Sequence, residues 1–341
     1  MANLKLLISP APHLHSVEHT RRLMRDVLLA LAPAVLVSLY FSGWNGLMVF
    51  LVSVLACVGI EYGIQRFMMK GASTIGDLSA LLTGVLLALN LPPSAPLWLV
   101  LIGAAVAIGI AKMTFGGLGK NLFNPALVAR VVLLISFPIQ MTNWAISGWG
   151  SGMIVKNLGD LDAVSSSTIL GTIKTGLANG LTMDQLHSIY NLSYFEMLFG
   201  KIGGSMGEIS ALALLLGFGY LLVRKVIKWH IPVSILLTVA VFTGILYLSD
   251  PLHNADPLFH LLTGGLLLGA IFMATDYVSS PMNTLGMWVY GIGIGVITVL
   301  IRVYGSYPEG ISFAILIMNA TVPLINMFCK SKRFGKEAVN V

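Results

Sequence analysis

Three short stretches carry side chains that could do chemistry in a chain otherwise rich in apolar residues. The first is LDAVSSSTILG at 161–171, where Asp162 precedes a run of hydroxyl side chains that starts at Ser165 and ends at Thr168. Such a hydroxyl can be the attachment point of a group, or the run can be a plain polar linker. The stretch alone leaves both interpretations open.

The second stretch is FGGLGKNLFNP at 115–125. Its glycines let the backbone approach a ligand closely, and Asn121 and Asn124 offer amide groups. It does not have the spacing of a phosphate-binding loop, because Lys120 is followed by Asn121 where that loop needs Ser or Thr. The alternative to a ligand site is a tight turn between two membrane spans.

The third stretch is MATDYVSSPMN at 273–283, where Asp276 follows an apolar segment and precedes Ser279, Ser280 and Pro281. An acidic residue at the end of a membrane helix is a candidate for contact with an ion or a cofactor. It is equally well interpreted as a helix-ending aspartate that faces water.

The composition indicates which elements must position these residues. Of the 341 residues, 56% are hydrophobic and 10% are charged, far from the ~25% charged residues of soluble domains. The mean hydropathy is +0.87. These values predict an all-α, polytopic membrane protein. The net charge of +6 indicates basic loops beside a membrane rather than a nucleic-acid partner. We expect no metal site, and no disulfide between Cys57 and Cys329.

Apolar runs of membrane-spanning length predict about ten transmembrane helices, the fifth of them short and broken or re-entrant. The predicted spans lie near 24–42, 46–65, 76–92, 95–113, 123–138, 207–223, 231–249, 259–274, 284–303 and 310–328.

The basic residues predict the orientation of these spans. With the N-terminus inside, 15 of the 20 Lys and Arg residues fall on the inner side, Lys112 among them, and four fall outside, including Lys174 and Arg302. Arg130 lies within the fifth span and needs a partner. Because basic residues collect on the cytoplasmic side, both termini are expected in the cytoplasm and the loop 139–206 outside.

An internal repeat divides the chain into two halves. LLTGVLLALN at 81–90 resembles LLTGGLLLGA at 261–270. Five spans in each half would give the two copies opposite orientations, which is the plan of many transporters. The predicted organisation is a cytoplasmic tail at 1–22, a first repeat at 23–138, the outer loop at 139–206, a second repeat at 207–328 and a cytoplasmic tail at 329–341.

Four stretches in order, spread over about residues 8–328, resemble one known family: SPAPHLHS (9–16), FGGLGKNLFNPALVARVVLLISFP (115–138), MATDYVSSP (273–281) and IRVYGSYPEGISFAILIMNATVPLIN (301–326). They are similar to the D subunit of the Rnf complex, the bacterial ion-translocating ferredoxin:NAD oxidoreductase. More distantly, the chain resembles the B subunit of the sodium-pumping NADH:quinone oxidoreductase.

The resemblance implies a flavin mononucleotide (FMN) joined through its phosphate to Thr168, with Asp162 and Ser165 in the recognition pattern of a flavin transferase. The family pattern has Gly and Ala where this chain has Ser166 and Ser167, so Ser167 is a rival hydroxyl. The resemblance also implies a second, non-covalent flavin, riboflavin or another, held by Asn121 and Asn124.

The function implied is that of an electron-carrier subunit in the bacterial cytoplasmic membrane, coupled in its complex to export of Na⁺ or H⁺ and inactive alone. Implied partners are the other Rnf subunits, including the G-type subunit with covalent flavin and the membrane A/E-type subunits, besides the lipid bilayer and the transferase. Two alternatives stay open: a solute channel or transporter without redox activity, and a scaffold subunit whose flavin site has decayed.

Overall fold

The computed structural model describes residues 20–70, 74–144, 168–190, 194–199, 204–305, 307 and 309–329, and within these ranges it contains helices and no strand. An all-α structure suits an apolar sequence in a bilayer, because each helix satisfies its own backbone hydrogen bonds. The all-α part of the predicted fold class is therefore confirmed for the described residues.

The first half begins with α1 (Thr20–Gly63), which continues as a π-helical segment, Ile64–Met69. Gly43 has φ 63° and ψ −148°, so two helices meet there. They correspond to the predicted spans 24–42 and 46–65. After them come α2 (Ser79–Asn90), α3 (Leu97–Ala104) with a π-helical extension Ala105–Met113, α4 (Pro125–Ser136) and α5 (Pro138–Met141).

The stretch predicted as an outer loop contains three described helices, α6 (Ile169–Ala178), α7 (Met183–Tyr190) and α8 (Tyr194–Phe199). They share a small core with a later segment of the chain, residues 255–262, and this core is formed by Leu170, Ile173, Met183, Leu186, Met197, Ala255 and Phe259. Tyr194 also donates a 2.8 Å hydrogen bond to Asp256. Apolar side chains at helical spacing thus turn this part of the expected loop into packed structure.

The second half contains α9 (Ala211–Val223), α10 (His230–Ser249), α11 (Pro257–Leu262), α12 (Leu266–Leu268) with a π-helical extension Gly269–Met273, α13 (Thr284–Tyr304) and α14 (Ile311–Phe328). Helix α1 packs against α2 and α9, and α13 packs against α10 and α14. One large apolar core runs through both halves.

Four described helical runs have the length and apolarity to cross a membrane: Thr20–Met69, His230–Ser249, Thr284–Tyr304 and Ile311–Phe328. The chain is therefore a multi-pass membrane protein. Several other predicted spans are shorter than expected. Helix α4 has 12 residues and α9 has 13, or about 18–20 Å at 1.5 Å per residue, against a hydrocarbon core of about 30 Å. For α4, which is the fifth span, the sequence predicts a short helix.

The two LLTG copies differ in conformation. Residues 81–84 lie inside the continuous helix α2, whereas residues 261–264 end α11, and Gly264 and Gly265 have φ of 69° and 65°. The second copy has Gly265 where the first has Val85. A left-handed backbone is accessible to glycine without steric cost, so the extra glycine permits the break.

Candidate functional site

Asn121, Asn124 and Asp276, which the sequence singled out in two distant stretches, line one cavity of about 90 Å³. We call it the Asn121 cavity. Its walls are mostly apolar and come from both halves of the chain. Its other polar lining side chains are Ser79, Thr83, Lys112, Thr275 and Tyr277.

Asn124 is largely committed to structure. As the N-cap of α4, its Oδ1 accepts from the backbone N–H groups of Ala126 at 3.1 Å and Leu127 at 3.4 Å. Its Nδ2 donates to the carbonyl oxygen of Met273 at 3.3 Å. The same side chain therefore starts α4 and ties it to the second half, which leaves one amide hydrogen for a ligand.

Asn121 is freer. Its Nδ2 donates to the Phe123 carbonyl at 3.0 Å, and its side chain also interacts with Asp276. The Asp276 carboxylate accepts from the Ser279 hydroxyl at 3.1 Å, which shapes the turn after the π-helical segment. Asp276 thus organises the end of a helix and also lines the cavity.

Lys112 supplies a buried cation at the cavity wall, with 2% of its surface exposed. Its Nζ lies 2.6 Å from Glu61 Oε2 and 2.6 Å from Ser79 Oγ. Ser79 in turn donates to Asp77 at 2.6 Å. Glu61 also accepts from Gln65 and from Thr74, each at 3.3 Å. Every charge in this network has partners, as a stable buried ion pair requires.

A second polar group, the Arg130 cluster, consists of Asn90, Arg130, Glu208, Arg302 and Glu309. Arg130 is buried in α4 and donates to Asn90 Oδ1 at 2.6 Å and to Glu309 Oε2. The same Nη2 lies 3.6 Å from Glu208 Oε1. One guanidinium from the first half therefore faces two carboxylates from the second half. The sequence predicted that Arg130 needs a partner, and the structure identifies Glu309 as that partner.

Arg302, which the charge count places on the outer side, is a buried residue with 4% of its surface exposed. Its guanidinium donates to the carbonyls of His260 at 2.6 Å, Thr263 at 2.9 Å and Gly264 at 3.1 Å. These carbonyls have no helical partners because α11 ends there, so a cation in the last turn of α13 satisfies them. Lys112, which the charge count places on the inner side, is likewise buried.

Thr168 is the N-cap of α6, and its Oγ1 accepts from the Gly171 N–H at 3.2 Å. The residue is 5% exposed. It adjoins a cavity of about 10 Å³ whose lining also includes Glu208, Thr263 and Gly264. Asp162 and Ser165 lie outside the described residues, as do Ser166 and Ser167.

Lys174, six residues further along α6, does not extend freely into solvent. Its Nζ donates to the backbone carbonyls of Arg302 at 2.9 Å and of Gly305. Burial lowers the pKa of this ammonium from its usual value. Lys174 thereby fastens α6 to the end of α13.

Sequence reasoning missed Glu208 and Glu309 as site residues. The signal that could have found them is position, since each is a lone acid beside glycine and next to an apolar run, GEIS at 207–210 and PEGIS at 308–312. Lys112 is likewise a lone charged residue in a mostly apolar stretch, IGIAKMTF at 108–115. A charge in such a context needs a buried partner.

The two sites differ in what they can hold. The Asn121 cavity combines apolar walls with amides, hydroxyls, one ammonium and one carboxylate, a donor set that fits a flat heteroaromatic ring with alternating N–H and C=O groups, such as a flavin. The described surroundings of Thr168 leave about 10 Å³, which does not accommodate such a ring.

Comparison with known proteins gives one consistent result. The profile of the NQR2, RnfD, RnfE family matches residues 7–335. The D subunit of an ion-translocating oxidoreductase complex from Stutzerimonas stutzeri is 41% identical, over 93% of this chain and 92% of the relative. The D subunit of a Na⁺-translocating ferredoxin:NAD⁺ oxidoreductase complex from Acetobacterium woodii is 41% identical, over 98% of this chain and 97% of the relative. The D subunit of a proton-translocating ferredoxin:NAD⁺ oxidoreductase complex from Clostridium ljungdahlii is 40% identical, over 96% of this chain and 96% of the relative.

Proposed function

Because the chain belongs to the NQR2, RnfD, RnfE family, we propose that it is the membrane electron-carrier subunit of an ion-translocating ferredoxin:NAD oxidoreductase. The observation that carries the proposal is the Asn121 cavity, whose donor set suits a flavin. The subunit acts within its complex, and the ferredoxin and NAD⁺ chemistry belongs to partner subunits. A bound flavin supplies reversible electron transfer, while the protein supplies position and electrostatics.

In this proposal the Asn121 cavity holds the non-covalent flavin. The remaining amide hydrogen of Asn124 donates to a ring carbonyl, and Asn121 Oδ1 and Asp276 accept from ring N–H groups. Lys112 lines the same cavity and supplies positive charge beside the ring. Such a cation stabilises the negative charge that a reduced ring carries.

Thr168 is the proposed attachment residue for FMN, with Asp162 and Ser165 read by the flavin transferase. Support comes from the spacing of these three residues in the resembled pattern. The buried Thr168 hydroxyl adds a condition: attachment precedes the packing of α6 against the Thr263–Gly264 segment, or opens it.

For the membrane arrangement we propose ten spans in two inverted five-helix repeats, both termini in the cytoplasm and the 139–206 segment on the outer face. Without the buried Lys112 and Arg302, 14 basic residues stay on the inner side and three outside, so the bias supports the same orientation. The exported ion is Na⁺ or H⁺, and relatives named for each are equally similar.

The test is to purify the complex after co-expression with a flavin transferase and to analyse the denatured subunit. We expect in-gel flavin fluorescence and the FMN mass on Thr168 in the 161–171 peptide. Thr168→Ala should abolish the fluorescence, whereas Ser167→Ala, a matched loss of one hydroxyl, should keep it. FMN on Ser167, or a peptide that never carries FMN, would contradict the attachment.

The second flavin is tested by extracting the native complex and quantifying flavin that is not covalently bound. We expect Asp276→Asn to lower its occupancy several-fold, with no change for the exposed control Asp184→Asn. A wild-type complex without any flavin in this subunit would instead favour a solute channel of the same family.

A further inference from the structure

Each of the two glutamates of the Arg130 cluster has a buried carboxylate oxygen that accepts no hydrogen bond from the described residues. Glu208 Oε1 and Glu309 Oε1 are both buried and have no hydrogen-bond partner among the described residues. Their side chains are each 8% exposed. An ionised carboxylate that is removed from water needs several hydrogen-bond donors to be stable. The ionised form of at least one of these two carboxylates is therefore disfavoured.

The available positive charge does not serve both carboxylates equally. Arg130 Nη2 forms a hydrogen bond with Glu309, but it lies 3.6 Å from Glu208 Oε1, beyond hydrogen-bond distance. Arg302 uses its Nη1 and Nη2 groups on three backbone carbonyls. Glu309 is therefore the hydrogen-bonded carboxylate, whereas Glu208 has only the longer 3.6 Å ion pair with Arg130.

The other groups around Glu208 do not change this assignment. The Ser205 hydroxyl lies near the Glu208 carboxylate but makes no hydrogen bond in the described part of the chain. On the α11 side, the glycine turn approaches closely, since a Cβ on Gly265 would lie 2.7 Å from Glu208 Oε1. The titratable His260 on α11 faces Arg302, and its Nδ1 is unpaired among the described residues.

We propose that Glu208 and Glu309 together bind one exchangeable proton, carried on the Glu208 carboxyl. Uptake forms an O–H bond on Glu208, turns one carboxylate into a carboxylic acid and converts hydronium to water; release is the reverse. Both carboxylates lie within 4 Å of the same Arg130 nitrogen. Two negative charges held this close to one guanidinium repel each other, so binding of a single shared proton is favoured over ionisation of both groups.

A proton fits this cluster better than a metal cation does. Two guanidinium groups border the carboxylates and would repel a free cation, whereas a proton is held by a covalent bond. The described residues also contain no group of three or more His, Cys, Asp or Glu side chains placed to hold a metal ion. Since Glu208 and Thr168 line one small cavity, the proton would lie beside the residue proposed for flavin attachment, although the inference does not depend on flavin.

The experiment is infrared difference spectroscopy between two pH values on the intact complex in nanodiscs. We expect a carboxylic C=O stretch that shifts to lower frequency in D₂O and titrates with pH. Glu208→Gln should remove it. Glu309→Gln should keep it but move its midpoint about 1–3 pH units lower, because the neighbouring negative charge is gone and Arg130 becomes available.

The exposed carboxylate variant Asp184→Asn is the matched control and should leave signal and midpoint unchanged. The proposal is overturned if the signal survives in Glu208→Gln, or if Na⁺ at constant pH removes it. Should Glu208→Gln not assemble, the Glu309→Gln titration decides alone, and an unmoved midpoint would overturn the proposal.

Discussion

The Asn121 cavity and the Arg130 cluster both bury charge where the two halves of the chain meet, but they satisfy that charge differently. Around the cavity, Lys112 contacts Glu61 and Ser79, and Glu61 accepts from two further donors. In the cluster, both glutamates and Arg302 keep buried atoms without hydrogen-bond partners among the described residues. A saturated network favours a fixed shape for a ligand, whereas an unsaturated one favours a group that changes its protonation.

The largest expected effect comes from Arg130→Ala, which leaves two buried carboxylates without a guanidinium in contact. We expect a loss of about 5 kcal/mol in the free energy of unfolding, the upper range for breaking a buried ion pair. Reversible denaturation in mixed micelles measures it. The exposed Lys228→Ala also removes one positive charge and should stay close to wild type. An equal loss in both variants would mean that charge number, not pairing, stabilises the protein.

Lys112→Met should cost less, about 3 kcal/mol, because Glu61 retains Gln65 and Thr74 as donors. The double variant Lys112→Met with Glu61→Gln should recover much of this loss, since no buried charge is then unpaired. A double-mutant cycle measured in the same micelles gives the coupling energy. If the double variant is no more stable than Lys112→Met, the network around the cavity is not saturated as described.

The smallest effect concerns Asn124. Asn124→Ala removes both the cap of α4 and the bond to Met273, with an expected cost of about 1–2 kcal/mol. Asn124→Ser keeps an acceptor for the cap but loses the donor, so it should cost less than the alanine variant. Thermal unfolding of the two variants separates these contributions, and equal costs would show that the cap contributes nothing.

Individual elements of the fold differ in how well the sequence predicts them. The helices of the membrane part, the kink between the first two spans and the short fifth segment were predictable, because hydropathy and glycine or proline positions act locally. The helices α6 to α8 within the expected loop were not predicted, since each is too short and too polar as a whole to be recognised as a membrane span. The number and orientation of the spans remain predictions.

For the site, the sequence identified Asn121, Asn124 and Asp276 but could not join them by geometry, and the structure shows that they line one cavity. It found Arg130 and its need of a partner, but not the partner. The charge count placed Lys112 on the inner side and Arg302 on the outer side, but it did not show that both side chains are buried. Nothing in the local sequence states how deep a residue lies.

By itself, the sequence determined that this chain is helical, lies in a membrane and belongs with a particular family, because composition, apolar run length and motif spacing are properties of the chain alone. Only the tertiary structure decided which charges meet. Arg130 and Glu309 are 179 residues apart, and Asn124 and Met273 are 149 apart. Contacts over such separations form because whole helices pack, and the energy of a buried charge depends on what that packing places beside it.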